Sequence, residues 1–148
     1  MEAMTEENKI VQLAYCSTSN RMLTTQELDG LLSVAVSNNE KAQITGMLIY
    51  SGGSFFQWLE GPAETVDNLF KKIVLDERHR NCTVILREGA TERSFSRWAM
   101  AYASSSDLDE KGQEAFVTLR EIQDGRTSIA HSETVAHAII QSFIRNNP

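Results

Sequence analysis

The chain has 148 residues and a formal net charge of −6 at pH 7, with 41% hydrophobic and 23% charged residues. This composition is typical of a single soluble globular domain and argues against a disordered chain. An acidic protein is a poor ligand for nucleic-acid phosphates, and no apolar run approaches the ~20 residues of a membrane span. Because residues 1–9 are polar and net acidic, unlike a signal peptide, we expect a cytoplasmic protein.

The first two predicted elements are a strand and a capped helix. Residues 10–17 read as a strand, with Val11, Leu13 and Tyr15 on one face. Thr24 and the glutamate three residues later form a capping box, which predicts the start of a helix. The apolar stripe of this helix consists of Leu28, Leu31, Leu32 and Ala35. Such a stripe predicts that the helix packs against a sheet.

A hairpin and a second helix follow. Residues 44–50 and 54–60 read as paired strands, because Gly52 and Gly53 between them suit the positive φ angles of a tight turn. Pro62 is a suitable first residue for the second helix. Its apolar stripe consists of Val66, Leu69, Phe70, Ile73 and Val74.

The second hairpin strand is apolar on both faces. Alternation places Phe55, Gln57 and Leu59 on one side. It places Phe56 and Trp58 on the other side. Both faces of the sheet must therefore be covered, one by the two helices and the other by the remaining chain.

Two further strands, near residues 82–88 and 97–103, complete the predicted order βαββαββ. The tail holds two amphipathic stretches separated by residues 124–126, and Ser132 is a suitable N-cap for the second. Their apolar residues are Leu108, Ala115, Phe116, Leu119 and Ile122 in the first, and Val135, Ala136, Ile139, Ile140 and Phe143 in the second. This pattern predicts an α+β fold whose tail covers the back of the sheet instead of forming a second domain.

Polar side chains fall on the apolar surfaces that should face each other between the sheet and the two helices. They are Tyr15, Asn38, Asn39, Gln57, Lys72 and Asp76. A buried amide without a partner costs about 1–3 kcal/mol, so something must satisfy these groups. These groups suit a flat heteroaromatic ligand. Two amides, a cation and a carboxylate would lie at the edge of a slot between the helices, and a phenol and a third amide would lie at its floor. The set lacks the nucleophile–base pair that hydrolysis requires.

Ordinary interpretations of the same residues stay open at this point. Tyr15 and Gln57 taken singly fit hydrogen-bonded core residues, and Lys72 with Asp76 fits a helical i, i+4 pair. Trp98 and Met100 taken alone fit core packing.

Metal and disulfide chemistry are not indicated by the sequence. Cys16 and Cys82 lie far apart in no metal-binding or redox spacing, so we expect two reduced, half-buried thiols. His79, His131 and His137 are scattered along the chain, so we expect no metal site.

Six short segments occur in a characteristic order. They are 13–17 (LAYCS), 38–39 (NN), 44–48 (ITGML), 55–61 (FFQWLEG), 76–79 (DERH) and 98–100 (WAM). Together they resemble the BLUF family of flavin-binding blue-light sensors over about residues 10–103. The resemblance implies a ferredoxin-like fold with a mixed five-stranded sheet, two helices flanking the flavin on one face and two C-terminal helices on the other. It divides the chain into a flavin-binding domain at 10–103 and a helical cap and output segment of the same domain at 104–148.

The resemblance also implies a cofactor and the residues that bind it. The cofactor is FAD, for which FMN or riboflavin could substitute. Asn39 matches the asparagine that hydrogen-bonds the carbonyl and N3 edge of the flavin, with Asn38 beside it. Lys72 falls where the family has a basic residue near the pyrimidine edge, and Asp76 falls at a further ring-binding position.

Four residues match the photochemical positions of the family. Tyr15 matches the photoactive tyrosine, and Gln57 the glutamine between that phenol and the flavin. Trp98 and Met100 match strand residues that exchange places or repack near the glutamine during signalling. The resemblance implies that light drives proton-coupled electron transfer from Tyr15 through Gln57 and rearranges the Gln57–flavin hydrogen bonds. The protein would then be a reversible photoreceptor without an enzymatic output domain.

A signalling role implies partners. Many relatives are fused to cyclic-dinucleotide or cyclase domains, and residues 104–148 are too short for either, so we expect the stand-alone type. We expect a homo-oligomer, dimeric or larger, and a downstream protein partner such as a response-regulator-like protein or a cyclic-dinucleotide enzyme. We expect no nucleic-acid or membrane partner.

Three other functions compete with this interpretation. A flavin-dependent redox enzyme would need an open face for a second substrate, and no dinucleotide-binding fingerprint is present. A single-strand nucleic-acid binder is suggested by the aromatic residues of 54–58, but the acidic charge opposes it. A light-independent interaction module that has lost its cofactor would contain no bound flavin.

Overall fold

The computed structural model describes residues 10–96, 98–128, 130 and 132–146. Its strands are β1 (Ile10–Ser19), β2 (Thr45–Ser51), β3 (Ser54–Gly61), β4 (His79–Ala90) and β5 (Ala101–Ala103). Its helices are α1 (Thr25–Ala42), α2 (Ala63–Val74), α3 (Glu110–Gln123) and α4 (Ser132–Asn146), with a short 3-10 turn at Ser105–Asp107. The predicted order βαββαββ, followed by two helices, is confirmed.

The five strands form one mixed sheet in the order β4-β1-β3-β2-β5. β1 is antiparallel to both β3 and β4, and β2 is antiparallel to β3. β5 joins the edge parallel to β2 through three residue pairs. The register of β1 and β3 pairs Tyr15 directly with Gln57. The sheet therefore has the ferredoxin-like form that the family resemblance implies.

The sheet separates two apolar cores. Residues facing α1 and α2 include Leu13, Tyr15, Leu48, Phe55 and Leu59. Residues facing α3 and α4 include Ala14, Cys16, Met47, Phe56 and Trp58. All ten apolar residues predicted for the two tail stretches are buried. Strand alternation and helical periodicity together thus predict the two layers.

Helix α1 is fixed at both ends. At its start, Glu27 N donates to Thr24 Oγ1 (3.1 Å) and Thr24 N donates to the Glu27 carboxylate (2.9 Å), which confirms the capping box. At its end, Gln43 has a left-handed backbone with φ of 61°. Ile44 N then donates to Asn39 O at 2.9 Å. The last turn of α1, which carries Asn39, is therefore held directly against the start of β2.

Helix α2 is shorter than the sequence suggests. It ends at Val74, and Asp76 lies in the following turn, where its backbone N–H donates to Ile73 O (3.1 Å). Placing Asp76 on the helix was therefore wrong. Val66 is fully buried as predicted, but Val74 is 47% exposed and does not belong to the packed stripe.

The last strand also differs from its prediction. It was expected to cover 97–103, but β5 contains only Ala101–Ala103, and Arg97 lies outside the described residues. Trp98 and Met100 precede the strand. Just before the predicted strand, Ser94 N and Phe95 N donate to a side-chain carboxylate, while Trp98 O accepts from Gly46 N of β2 at 3.1 Å.

The ends of the tail helices are held by side chains. Asp109 caps α3, accepting from Gly112 N at 3.0 Å. Ser132 is the first residue of α4, but its hydroxyl donates to Ile85 O in β4 (2.9 Å), which differs from the capping role predicted for it. Among the helices of the described ranges, none is long and apolar enough to cross a membrane.

Candidate functional site

A cavity of about 270 Å³ opens between α1, α2 and the sheet. Apolar side chains from both helices and the sheet form much of its wall, including Leu31, Leu48, Phe55, Leu69 and Ile73. Tyr15, Asn38, Asn39, Gln57, Lys72 and Asp76 also line it. The structure thus brings the six polar residues singled out from the sequence around one space.

Tyr15 and Gln57 are joined at the floor of this cavity. The Tyr15 hydroxyl donates a hydrogen bond of 2.6 Å to Gln57 Oε1. Burial raises the pKa of Tyr15 well above its usual range, and the nearby Cys82, Asp76 and Cys16 raise it further. The phenol therefore keeps its proton at neutral pH and presents it to the amide oxygen.

The other end of the Gln57 amide faces sulfur. Gln57 Nε2 lies 3.6 Å from Met100 Sδ, and a thioether is only a weak acceptor. Trp98 is half-buried on the opposite side of the sheet, where its ring centroid lies 5.9 Å from that of Phe95 and 5.8 Å from that of Phe143. The structure therefore places Met100, and not Trp98, beside Gln57.

The two asparagines at the end of α1 have different positions. Asn39 is 3% exposed, and its Nδ2 donates to Ala99 O at 2.9 Å. Asn38 is exposed at the rim of the cavity, although it was expected to extend the buried stripe. Neighbouring residues on an α-helix are about 100° apart, so both cannot point inward.

Charged residues occupy the rim near the end of α2. Arg78 Nε donates to Asp76 Oδ1 at 2.9 Å, and this bond lowers the pKa of Asp76 to about 2 although partial burial opposes the shift. Asp76 therefore pairs with Arg78, and not with Lys72 as the helical i, i+4 alternative suggested. Lys72 is exposed and also lines the cavity.

His79 lies at the back of the cavity, at the start of β4. Its Nε2 is 2.6 Å from Ile73 O and its Nδ1 is 2.7 Å from Ser17 Oγ. Because a carbonyl oxygen only accepts, Nε2 carries a proton. Arg78 and His79 line the cavity but were given no role from the sequence. Their signal was their position in the segment 76–79, which follows α2 and includes the first residue of β4.

The chemistry of this lining fits a planar ring system with polar edges. The amides can both donate and accept, and Lys72 with Arg78 offers cations at the rim. Of the aromatic side chains considered for base stacking, Phe55, Phe56 and Trp58 are all buried, which does not suit an exposed nucleic-acid platform.

The thiols and histidines offer no metal site in the part of the chain described. That part contains no group of three His, Cys, Asp or Glu side chains able to hold a metal ion, and His131 lies outside it. Cys16 and Cys82 are both free; Cys16 is buried, deeper than expected, and Cys82 is half-buried.

Comparison with known proteins decides the family. The family model described as BLUF, sensors of blue-light using FAD, matches residues 10–101, more than half of the chain. The chain belongs to the BLUF family. The matched segment is thus a domain that senses blue light through a flavin, with FAD as its cofactor.

Relatives and solved structures agree with this family. The photoactivated adenylate cyclase subunit alpha of Euglena gracilis is 29% identical over 148 residues, covering 96% of this chain but only 14% of that protein. The dark-state structure of the BLUF protein BlrB has a TM-score of 0.68 at 25% identity, covering 92% of this chain and 98% of BlrB. The photo-activated structure of BlsA has a TM-score of 0.71 at 29% identity, covering 88% of this chain and 94% of BlsA. The chain therefore spans a small part of the cyclase subunit and nearly all of the two solved BLUF chains.

Proposed function

We propose that Tyr15 and Gln57 form the switch of this BLUF domain and that light reversibly changes how the protein binds other proteins. The observation that carries the proposal is the 2.6 Å hydrogen bond from the buried Tyr15 hydroxyl to Gln57 Oε1 at the floor of the cavity. Asn38, Asn39 and Lys72, with Asp76 and its partner Arg78, would hold the flavin ring. When bound and excited by blue light, the flavin supplies a strong one-electron oxidant.

Tyr15 and Gln57 then perform the proton chemistry. As Tyr15 is oxidised, its O–H bond breaks and the proton passes to Gln57 Oε1, because buried Tyr15 has no comparable access to water. An amide can accept at oxygen and donate from nitrogen, so Gln57 can pass on one proton while it receives another. Return of the electron and a proton to Tyr15 leaves Gln57 in a different hydrogen-bonded arrangement. The weak contact to Met100 Sδ does little to prevent such a change.

The output would leave through residues 98–103 and the helical segment 104–148, which we propose acts as cap and output of the same domain. Two contacts support this route. Met100 touches Gln57 directly and is followed at once by β5. On the other face of β1, Cys16 Sγ donates to Gln123 Oε1 of α3 at 2.7 Å. A change at the Tyr15–Gln57 pair therefore has short structural links to the tail helices.

The partner would be another protein in the cytoplasm, including a second copy of this chain. The names of relatives support such an output, since they include photoactivated adenylate cyclases of Euglena and a blue light- and temperature-regulated antirepressor of Escherichia coli. A response-regulator-like protein or a cyclic-dinucleotide enzyme remains our proposed kind of downstream partner. Light scattering in darkness and under blue light tests the proposed oligomer.

The flavin absorption spectrum before and after blue illumination tests the switch. We expect a reversible red shift in the native protein. Tyr15→Phe removes the proton donor and Gln57→Leu removes the relay, so both should bind flavin without showing the shift. Tyr50→Phe is the matched control, because Tyr50 is also buried in this core but its hydroxyl contacts Leu23 N at 3.0 Å. A normal red shift in Tyr15→Phe contradicts the mechanism.

A further inference from the structure

Glu60 carries a carboxylate into the core on the face opposite the cavity. It is 0% exposed and lies on β3 on the same side as Phe56 and Trp58. Burying a charge is strongly unfavourable unless hydrogen bonds replace the lost water. The flavin cavity makes no use of Glu60, so its burial needs another explanation.

Five donors surround this carboxylate. Oε1 accepts from Gln12 Nε2 (3.1 Å), Trp58 Nε1 (3.1 Å) and Ser94 N (2.9 Å). Oε2 accepts from Thr45 Oγ1 (2.8 Å) and Phe95 N (2.7 Å). The carboxyl group is therefore held by four strand or loop segments at once.

The loop that Glu60 holds is the one that reaches the cavity. Ser94 and Phe95 are fixed by their backbone N–H groups, and a few residues later Ala99 O accepts from Asn39 Nδ2. Met100 then contacts Gln57. The segment 94–100 is thus attached at one end to a buried charge and at the other to the proposed switch.

Arg93 strengthens the attachment. Its guanidinium donates to Thr45 Oγ1 (2.9 Å), Glu60 O (3.2 Å) and Gln43 O (2.7 Å). Gln43 closes the end of α1, so the same loop is tied to the helix that carries Asn39. The position of the loop is therefore set relative to both the sheet and α1.

We propose that Glu60 is a positioning residue of the light switch, which holds segment 94–100 so that Met100 lies beside Gln57 while Trp98 packs on the opposite side. This inference rests on the proposed roles of Tyr15 and Gln57. Glu60 acts through the loop and touches neither the cavity nor the reacting atoms.

The first test is made in darkness with Glu60→Gln and the matched variant Glu92→Gln. Both remove one negative charge, but Glu92 is an exposed residue of the same loop. The amide at 60 offers one oxygen in place of two and turns an NH2 toward groups that themselves donate. We expect hydrogen exchange at the Ser94 or Phe95 amide to accelerate at least about tenfold, the effect of losing a bond to a charged acceptor. Glu92→Gln should exchange as the native protein does.

Nuclear magnetic resonance provides an independent readout in the same samples. The chain has two tryptophans, so two indole N–H signals report on Trp58, which donates to Glu60, and on Trp98. We expect both signals to move in Glu60→Gln and neither in Glu92→Gln. Unchanged amide exchange together with an unchanged Trp98 signal overturns the proposal.

The light experiment separates this inference from the proposed function. Glu60→Gln should keep the red shift but change the dark-recovery rate at least about threefold. A threefold change in rate corresponds to a change of less than about 1 kcal/mol in the activation free energy of recovery. A recovery rate equal to that of Glu92→Gln overturns the positioning role. If the native protein shows no red shift, the proposed switch fails, and the exchange and indole measurements still decide whether Glu60 holds the loop.

A graded variant covers the case in which Glu60→Gln does not fold. Thr45→Val keeps the side-chain volume and removes one of the five donors. Amide exchange at Ser94 or Phe95 should rise and dark recovery should change, both by less than in Glu60→Gln. If Thr45→Val folds and has the amide-exchange and dark-recovery rates of the native protein, the proposal is overturned.

Discussion

Gln57 Nε2 lies 3.6 Å from the sulfur of Met100, while Gln57 Oε1 receives the strong hydrogen bond of Tyr15. The two ends of one amide are therefore held unequally. The oxygen end has a short bond from a buried phenol, and the nitrogen end has only a soft, weak acceptor. Such an amide is oriented in darkness without being locked.

Met100→Leu tests the weak end of the amide. The substitution keeps the volume and removes the sulfur acceptor, so stability should change by less than about 1.5 kcal/mol. Loss of a contact worth about 0.5–1 kcal/mol should destabilise the dark orientation of Gln57 and slow dark recovery about two- to fivefold. Met47→Leu is the control, since Met47 is fully buried in the other core. Equal recovery in both variants contradicts a role for the sulfur.

Asn39→Ala and Asn38→Ala form a matched pair of adjacent substitutions. Asn39 is buried and bonded to Ala99 O, whereas Asn38 is exposed at the rim. Asn39→Ala should lower the free energy of unfolding by about 1 kcal/mol, because the part-buried Ala99 carbonyl loses its donor, and should weaken flavin binding. Asn38→Ala should change stability by less than about 0.5 kcal/mol. Urea unfolding and flavin retention on gel filtration measure both effects, and similar losses in the two variants would show that burial does not separate their roles.

Cys16 should be an unreactive thiol. Burial raises the pKa of Cys16 to about 12, so the nucleophilic thiolate is scarce at pH 8. We expect iodoacetamide to modify half-buried Cys82 first, with mass spectrometry locating the label, and Cys16 to react only after unfolding. The raised pKa also favours the folded state below about pH 9 and loses this contribution as the pH rises toward 12. The free energy of unfolding of Cys16→Ala should therefore fall less between about pH 9 and 12 than that of the native protein. An equal fall in both proteins contradicts the raised pKa of Cys16.

Two glycines should respond to alanine in opposite directions. A Cβ at Gly46 in β2 would lie 1.9 Å from Trp58 O in β3, and that backbone cannot move away without breaking the sheet. Gly46→Ala should therefore lower the free energy of unfolding by more than about 4 kcal/mol. A Cβ at Gly30 in α1 would meet nothing within 4 Å, so Gly30→Ala should raise stability by about 0.5–1 kcal/mol. Urea unfolding of the two variants measures both, and a mild effect of Gly46→Ala would contradict the packing described.

Much of the fold follows from local patterns in the sequence. The alternation in residues 55–59 correctly separates Phe55, Gln57 and Leu59 from Phe56 and Trp58, because a strand has only two faces. Helical periodicity likewise finds Val66 and the buried residues of α3 and α4. Regular elements are predictable where one short repeat decides which side chains are buried.

The parts that the sequence did not predict involve side-chain contacts that follow no repeat. Asp76 lies in the turn after α2 and pairs with Arg78, and the N–H groups of Ser94 and Phe95, before β5, donate to Glu60. Glu60 follows Phe56 and Trp58 by alternation, so its burial could be predicted from the sequence. Apart from Trp58, however, its hydrogen-bond partners come from segments far from it in the chain.

Tyr15 and Cys16 are adjacent in β1, but their side chains lie on opposite faces of the sheet. The Tyr15 side chain lies in the core on the cavity side, and the Cys16 side chain contacts α3. The thiol stays protonated at neutral pH, because burial raises the pKa of Cys16 to about 12, and its S–H bond points to Gln123 Oε1 at 2.7 Å. The S–H stretch absorbs in an infrared window that other protein groups leave nearly empty. The S–H group of Cys16 is thus a native vibrational probe that can be measured without any label. It lies one residue from the proposed photochemistry and outside the flavin cavity.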